Sequence, residues 1–247
     1  MKRLKRLCLS LLLLAVPAIA HADCRDLTKD GNSYTVCSFD PARADLRLFR
    51  VDGDDLLGSF RRVDQMLERD GKALSFAMNA GMFHQDRSPV GLYVEEFDQQ
   101  MRIITSEGPG NFGLLPNGVF CLAPGGSAAV IESRGFADRE GTCRFATQSG
   151  PMLVIDGALH PRFLPESDSL YTRNGVGVDE QGLVHFAISN QPVRFYDFGL
   201  LFRDALKTPN ALYFDGKVSR LYAPDLNRHD GGFPMGPIVG AVVDLPR

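Results

Sequence analysis

Ala211-Leu212-Tyr213-Phe214-Asp215-Gly216-Lys217-Val218-Ser219-Arg220-Leu221-Tyr222 reads as two short β-runs, 211–214 and 218–222, parted by a turn at Asp215-Gly216. Working outward, the same rhythm repeats at 34–39, 46–51, 73–78, 91–95, 101–105, 119–122, 128–132, 152–155, 176–179 and 183–189. Turn clusters such as Asp52-Gly53-Asp54-Asp55 and Pro124-Gly125-Gly126-Ser127 separate the runs. Two segments carry helical periodicity instead. Phe60, Val63, Met66 and Leu67 share one helix face, with Ser59 placed to cap it and Gly71 to stop it. Phe195, Phe198, Leu201, Phe202, Ala205 and Leu206 mark the second, which Thr208-Pro209 ends. Many strands with two helices that do not alternate regularly predict an α+β single domain around a mixed, largely antiparallel β-sheet core. No linker, low-complexity tract or solenoid repeat divides the chain, so residues 23–247 are expected to fold as one domain.

The N-terminus has a different character. Lys2, Arg3, Lys5 and Arg6 lead into the apolar run 7–16 and then the small-residue site Ala20-His21-Ala22, the pattern of a signal peptide over 1–22. Asp23 stands where a small residue would precede a lipid-modified cysteine, which argues against lipidation at Cys24. No later segment offers the roughly 20 apolar residues of a membrane span, so the mature protein is expected to be periplasmic or secreted. Processing removes four of the 27 Lys and Arg and none of the 30 Asp and Glu, deepening the formal charge from −3 to −7. That balance excludes the clustered basic surface of a nucleic-acid binder and a polybasic membrane face. Cys24, Cys37, Cys121 and Cys143 survive processing and allow three pairings; Cys24 with Cys37 and Cys121 with Cys143 are expected, each across a hairpin. No CxxC pair is present, which removes the signature of redox catalysis or a zinc knuckle.

Four segments join glycine to polar groups at strand ends, where loops present chemistry on a rigid frame. They are residues 78–83 (Met-Asn-Ala-Gly-Met-Phe), 146–151 (Ala-Thr-Gln-Ser-Gly-Pro), 171–178 (Tyr-Thr-Arg-Asn-Gly-Val-Gly-Val) and 212–220. Taken singly, each has a structural explanation: Asp-Gly is a common hairpin turn, Arg173 an ordinary sheet-edge cation, and Gln148, Ser149 and Asn79 plain turn or strand-end residues. Their joint occurrence points to a site. His84, Asp86, His229 and Asp230 show no metal-type spacing, so no metal or other cofactor is expected. Ser149 lacks the first glycine of a nucleophile elbow. Residues 108–113 read as a loop, with Asn111 and Asn117 as rim contacts, because no helix follows to bind a nucleotide phosphate. With no Trp, most of the 17 Phe are assigned to the core.

At these residues the chain resembles the phosphodiester glycosidase family. The resemblance rests on Asn79 to Phe83, Gln148 to Gly157, Arg173 to Val178, and Asp215 with Ser219, which arrive in the family's order over nearly the whole mature chain. Two departures stand out: Asn79-Ala80-Gly81 replaces Asn-Gly-Gly, and Lys217 replaces the second glycine after Asp215. The resemblance implies a carbohydrate or phosphoglycan substrate. Glycoside hydrolysis usually engages two carboxylates, and these segments supply one, Asp215. One suffices if phosphate leaves, because the second pKa of a phosphate monoester is about 6. On this reading Asp215 is base or nucleophile, and Arg173 grips the phosphate bidentately. Asn79, Gln148 and Ser219 then orient the sugar. Gly81 belongs with them to the expected substrate-binding set, and the backbone around Ser149 and Gly150 forms an anion nest.

Overall fold

The computed structural model describes residues 23–139 and 141–245, so the expected signal peptide over 1–22 lies outside the described residues. Its largest sheet has seven strands in the order β1 (Asp23–Lys29), β2 (Asn32–Phe39), β15 (Val184–Ser189), β14 (Asn174–Val178), β16 (Asn210–Asp215), β12 (Met152–Ile155) and β13 (Ala158–Leu159). A second sheet runs β10 (Ser127–Glu132), β9 (Gly118–Ala123), β11 (Phe145–Ser149), β7 (Tyr93–Glu95), β8 (Asp98–Met101). A third runs β18 (Arg228–His229), β17 (Leu221–Ala223), β6 (Lys72–Asn79), β19 (Ile238–Asp244), β3 (Asp45–Phe49), and β4 (Val51–Asp52) with β5 (Asp55–Leu56) makes a small ribbon. The architecture is α+β. The sheets are largely antiparallel, as expected: the pairs among the described strands all run that way.

Local chemistry accounts for the elements. Lys29 pairs with Asn32 across Asp30-Gly31, whose φ values of 49° and 77° are those of a two-residue type I′ hairpin turn. Higher in that ladder Cys24 faces Cys37 and is bonded to it, and Cys121 on β9 is bonded to Cys143 before β11. Helix α1 (Phe60–Glu68) starts where the Ser59 hydroxyl accepts from Arg62 N, and buries Phe60, Val63 and Leu67. Helix α3 (Phe195–Leu200) continues as one π-helical turn, Leu201–Ala205. A short helix α2 (Ser133–Phe136), not expected from the sequence, is capped by the Glu132 carboxylate, which accepts from Arg134 N and Gly135 N.

The three sheets meet at buried phenylalanines. Phe39, Phe186 and Phe214 come from the first, Phe120 from the second and Phe76 from the third, with ring centroids 5.0–6.4 Å apart. One apolar centre therefore fixes the sheets relative to each other, and the strand ends above it hold their places. Several strands depart from the sequence reading: β1 was not among the expected runs, and the run at 101–105 is strand only at Met101, the end of β8. Ile238–Asp244, to which no strand was assigned, lies between β6 and β3. It is a nearly unbroken apolar run without alternation, as suits a strand covered on both faces. Conversely, 218–222 pairs only from Leu221 onward, because the residues before it are bound into the Asp215 loop.

Candidate active site

Three strand ends converge: Asn79 closes β6, Asn174 opens β14, and Asp215 closes β16 directly opposite Asn174. Asn79 and Asn174 are fully buried and exchange their amides. Asn79 Nδ2 donates to Asn174 Oδ1 at 3.2 Å, while Asn174 Nδ2 donates to Asn79 O at 2.8 Å and Oδ1 at 3.2 Å. Their remaining acceptor capacity goes to one loop. Asn174 Oδ1 takes Asp215 N at 3.2 Å and Asn79 Oδ1 takes Arg220 N at 2.9 Å, so the pair pins 215–220 at its entry and its exit. Ser219 Oγ lies 2.9 Å from both Thr172 O and Asp215 O and fastens the loop between them.

Inside the loop, Asp215 Oδ1 accepts from Gly216 N at 2.5 Å and Lys217 N at 2.7 Å, which fixes the carboxylate's direction. Burial pushes its pKa above the usual aspartate value; the amides of Lys217, Gly216 and Val218 and the Lys217 charge oppose the rise without cancelling it. Asp215 faces a cleft of about 570 Å³. Lys217, Arg87 and His84 bring positive or titratable nitrogen to it; Phe83, Tyr171 and Tyr213 bring rings; Asn111 brings an amide. Anionic groups and sugar faces are the ligands such a lining suits.

Arg173 lies behind this cleft, not in it. It is 0% exposed, stacked at 3.6 Å over Phe195, with Tyr171 and Tyr213 at 5.4 and 5.6 Å. Nε donates to Val193 O and Nη2 to Ser169 O, both at 2.9 Å, whereas Nη1 is buried without a partner. The expected bidentate phosphate grip is therefore corrected, because two of the three nitrogens are committed to main chain. What remains is a buried positive charge, its pKa lowered by desolvation, beneath a floor of tyrosines.

The other expected contacts serve the scaffold. Gln148 Oε1 accepts from Leu92 N and Ile104 N at 3.0 Å and Nε2 donates to Ile104 O at 2.5 Å, so its amide clamps two loops and has none left for a sugar. Ser149 Oγ donates to Phe214 O at 2.9 Å, one residue before Asp215. Gly150 and Gly81 permit close packing: a Cβ on Gly150 would lie 2.7 Å from Asn117 Cβ, and one on Gly81 would lie 2.4 Å from Gln148 O. Asn117 is buried and donates to Phe112 O at 3.0 Å, so Asn111 alone of the two rim asparagines lines the cleft. Gly81→Ala is expected to cost about 1–3 kcal/mol, because main chain must move to admit the methyl. A thermal melt beside wild type checks this, and an unchanged midpoint contradicts it.

Arg87, Tyr213 and Asn174 have no part in the sequence reading. Tyr213 is two residues before Asp215, and the period-2 rule would have placed it on the same side. Asn174 offered no comparable signal, since its partners Asn79 and Asp215 are 95 and 41 residues away.

The site is thus a half-buried carboxylate on a latched strand-end loop, opening on a cleft with cations and aromatic rings. The sequence pattern of the phosphodiester glycosidase family matches residues 72–238. The chain belongs to that family. It is 33% identical over 223 residues to the uncharacterized protein YigE of Escherichia coli K12, covering 89% of this chain and 85% of that one. Its fold is similar to that of the zebrafish N-acetylglucosamine-1-phosphodiester alpha-N-acetylglucosaminidase catalytic domain, auto-inhibited by pro-peptide. That match has a TM-score of 0.64 at 12% identity, covering 95% of this chain and 86% of that one. A hypothetical protein from Synechocystis shares the fold with a TM-score of 0.60 at 13% identity, over 90% and 62% of the two chains.

Proposed function

We propose that this protein is an exported hydrolase that cleaves the glycosidic bond of a sugar-1-phosphodiester, of N-acetylglucosamine type, in an envelope or extracellular glycan. The observation that carries the reading is Asp215, a half-buried carboxylate held by turn amides, on a loop fastened by two asparagines, against a cleft that also presents Lys217 and Arg87. Export is supported by the signal-type N-terminus and by two disulfides, which persist in oxidising compartments. No described helix is long and apolar enough to cross a membrane.

In this reaction water adds to C1 of the sugar, and the bond from C1 to the bridging oxygen breaks with its electron pair passing to the phosphate. Asp215 serves as base, taking the water's proton, or as nucleophile, holding C1 until water arrives. Lys217 and Arg87 offset the phosphate charge from the cleft and Arg173 does so from beneath it. Asn79, Asn174, Ser149 and Ser219 act as positioning residues through the Asp215 loop. Lys217 beside the carboxylate favours one rival, a glycan-binding protein without turnover, because an adjacent cation neutralises the base.

The test is mass-spectrometric detection of free sugar from a panel of sugar-1-phosphodiesters that includes N-acetylglucosamine esters. Release is the expected result, and saturable binding without product supports the rival. Proton NMR of the first-formed anomer then divides the two roles of Asp215: inversion assigns the base and retention the nucleophile.

A further inference from the structure

Tyr213 is a cleft residue that no step above employs. Its ring packs edge-on against Phe195 at 4.7 Å, under which the Arg173 guanidinium is stacked. It is only 1% exposed, yet it lines the same cleft as Asp215. The hydroxyl lies on the Asp215 turn itself: a Cβ added at Gly216 would sit 2.2 Å from Tyr213 Oη. Gly216 has unstrained φ, so a glycine here serves to leave room for that oxygen. The Arg173 charge and Asn111, which also lines the cleft, both hold the phenol's pKa down against the rise that burial causes. A guanidinium has only N–H groups to offer, so Arg173 cannot take the hydroxyl hydrogen.

We infer that Tyr213 is a catalytic residue, donating its hydroxyl hydrogen bond to the bridging oxygen of the leaving phosphate as the bond from C1 breaks. The inference rests on the glycosidase reading above and deepens it. The buried Arg173 thereby gains a use that its exposure alone denies it, since its charge strengthens the phenol as a donor without touching substrate. Burial raises the phenol's pKa further, while the leaving phosphate has a second pKa of about 6. The proton therefore stays on Tyr213, and its part is a hydrogen bond that shortens as charge develops. The atoms balance as before: water supplies OH to C1, Asp215 handles its proton, and the electron pair leaves with phosphate.

The decisive comparison uses two substrates that differ in one atom, a sugar-1-phosphodiester with oxygen between C1 and phosphorus and its analogue with sulfur there. Sulfur is a weak hydrogen-bond acceptor, so it gains little from the phenol. Tyr213→Phe is expected to lower kcat on the oxygen ester about 10- to 100-fold with KM changed less than about 3-fold, and to change kcat on the sulfur analogue by less than about 3-fold. Gly216→Ala, which keeps the phenol but displaces it, is expected to reproduce the selective loss on the oxygen ester. Equal losses on both substrates, or no loss on the oxygen ester, overturn the role of Tyr213 while leaving the glycosidase reading in place. A wild-type protein that releases sugar from neither substrate sinks that reading, and this inference with it.

Discussion

Asp215→Asn is expected to reduce release of sugar about 10²- to 10⁴-fold, or more if the residue is the nucleophile, while leaving the fold intact. The substitution suits the geometry. An amide oxygen can still accept from Gly216 N and Lys217 N, so the loop retains its turn and only the charge is lost. The pH behaviour follows from burial. Asp215 must be ionised to act, and its pKa stands above the ordinary aspartate value, so the acid limb of kcat/KM lies higher than for an exposed aspartate and is absent from the residual activity of the variant. Stability has the opposite sign. Between the ordinary value of 3.8 and the raised one, the native carboxyl keeps a proton that the unfolded chain has lost, so folding stability falls as pH rises through that window. The Asn variant lacks this slope and should melt at or above the wild-type temperature at neutral pH. Full activity in the variant, or a collapsed melt with no residual fold, contradicts the assignment.

The sequence exposed the parts of this molecule that repeat locally. Alternating apolar runs with Gly and Asp turns are enough to read most strands, and Ser59 with Gly71 marks the limits of α1. Strands without local contrast escaped, as β19 shows. At the site, polar residues at strand ends were visible, but their division of labour was not. Gln148 and Asp215 look equally functional as letters. They differ because Gln148 lies under two loops that consume every group of its amide, whereas Asp215 is at the lip of a cleft. Arg173 shows the same limit, since a fork spent on Val193 O and Ser169 O is a product of tertiary packing.

Asn174 carries the largest structural effect because its side chain joins two sheets. Asn174→Ala is expected to destabilise the protein by about 3–5 kcal/mol: it strands the buried Asn79 amide, leaves Asp215 N without its acceptor and removes a contact of Ser219 Oγ, at about 1–3 kcal/mol for each buried group left unpaired. For a domain of this size that is a fall of about 10 °C or more in Tm. The loss of activity should exceed what unfolding explains. Measured well below the new melting point, kcat should still fall, since entry to the 215–220 loop is no longer fixed and the carboxylate wanders from the reacting carbon. Asn174→Asp separates the two effects: it keeps an acceptor for Asp215 N but cannot donate to Asn79 O, and it puts a second negative charge beside Asp215. That charge should raise the Asp215 pKa further and move the acid limb of the rate profile upward. An Asn174→Ala protein that melts within about 1 °C of wild type, or an Asn174→Asp protein whose pH profile is unmoved, would mean that the asparagine pair does not govern the Asp215 loop.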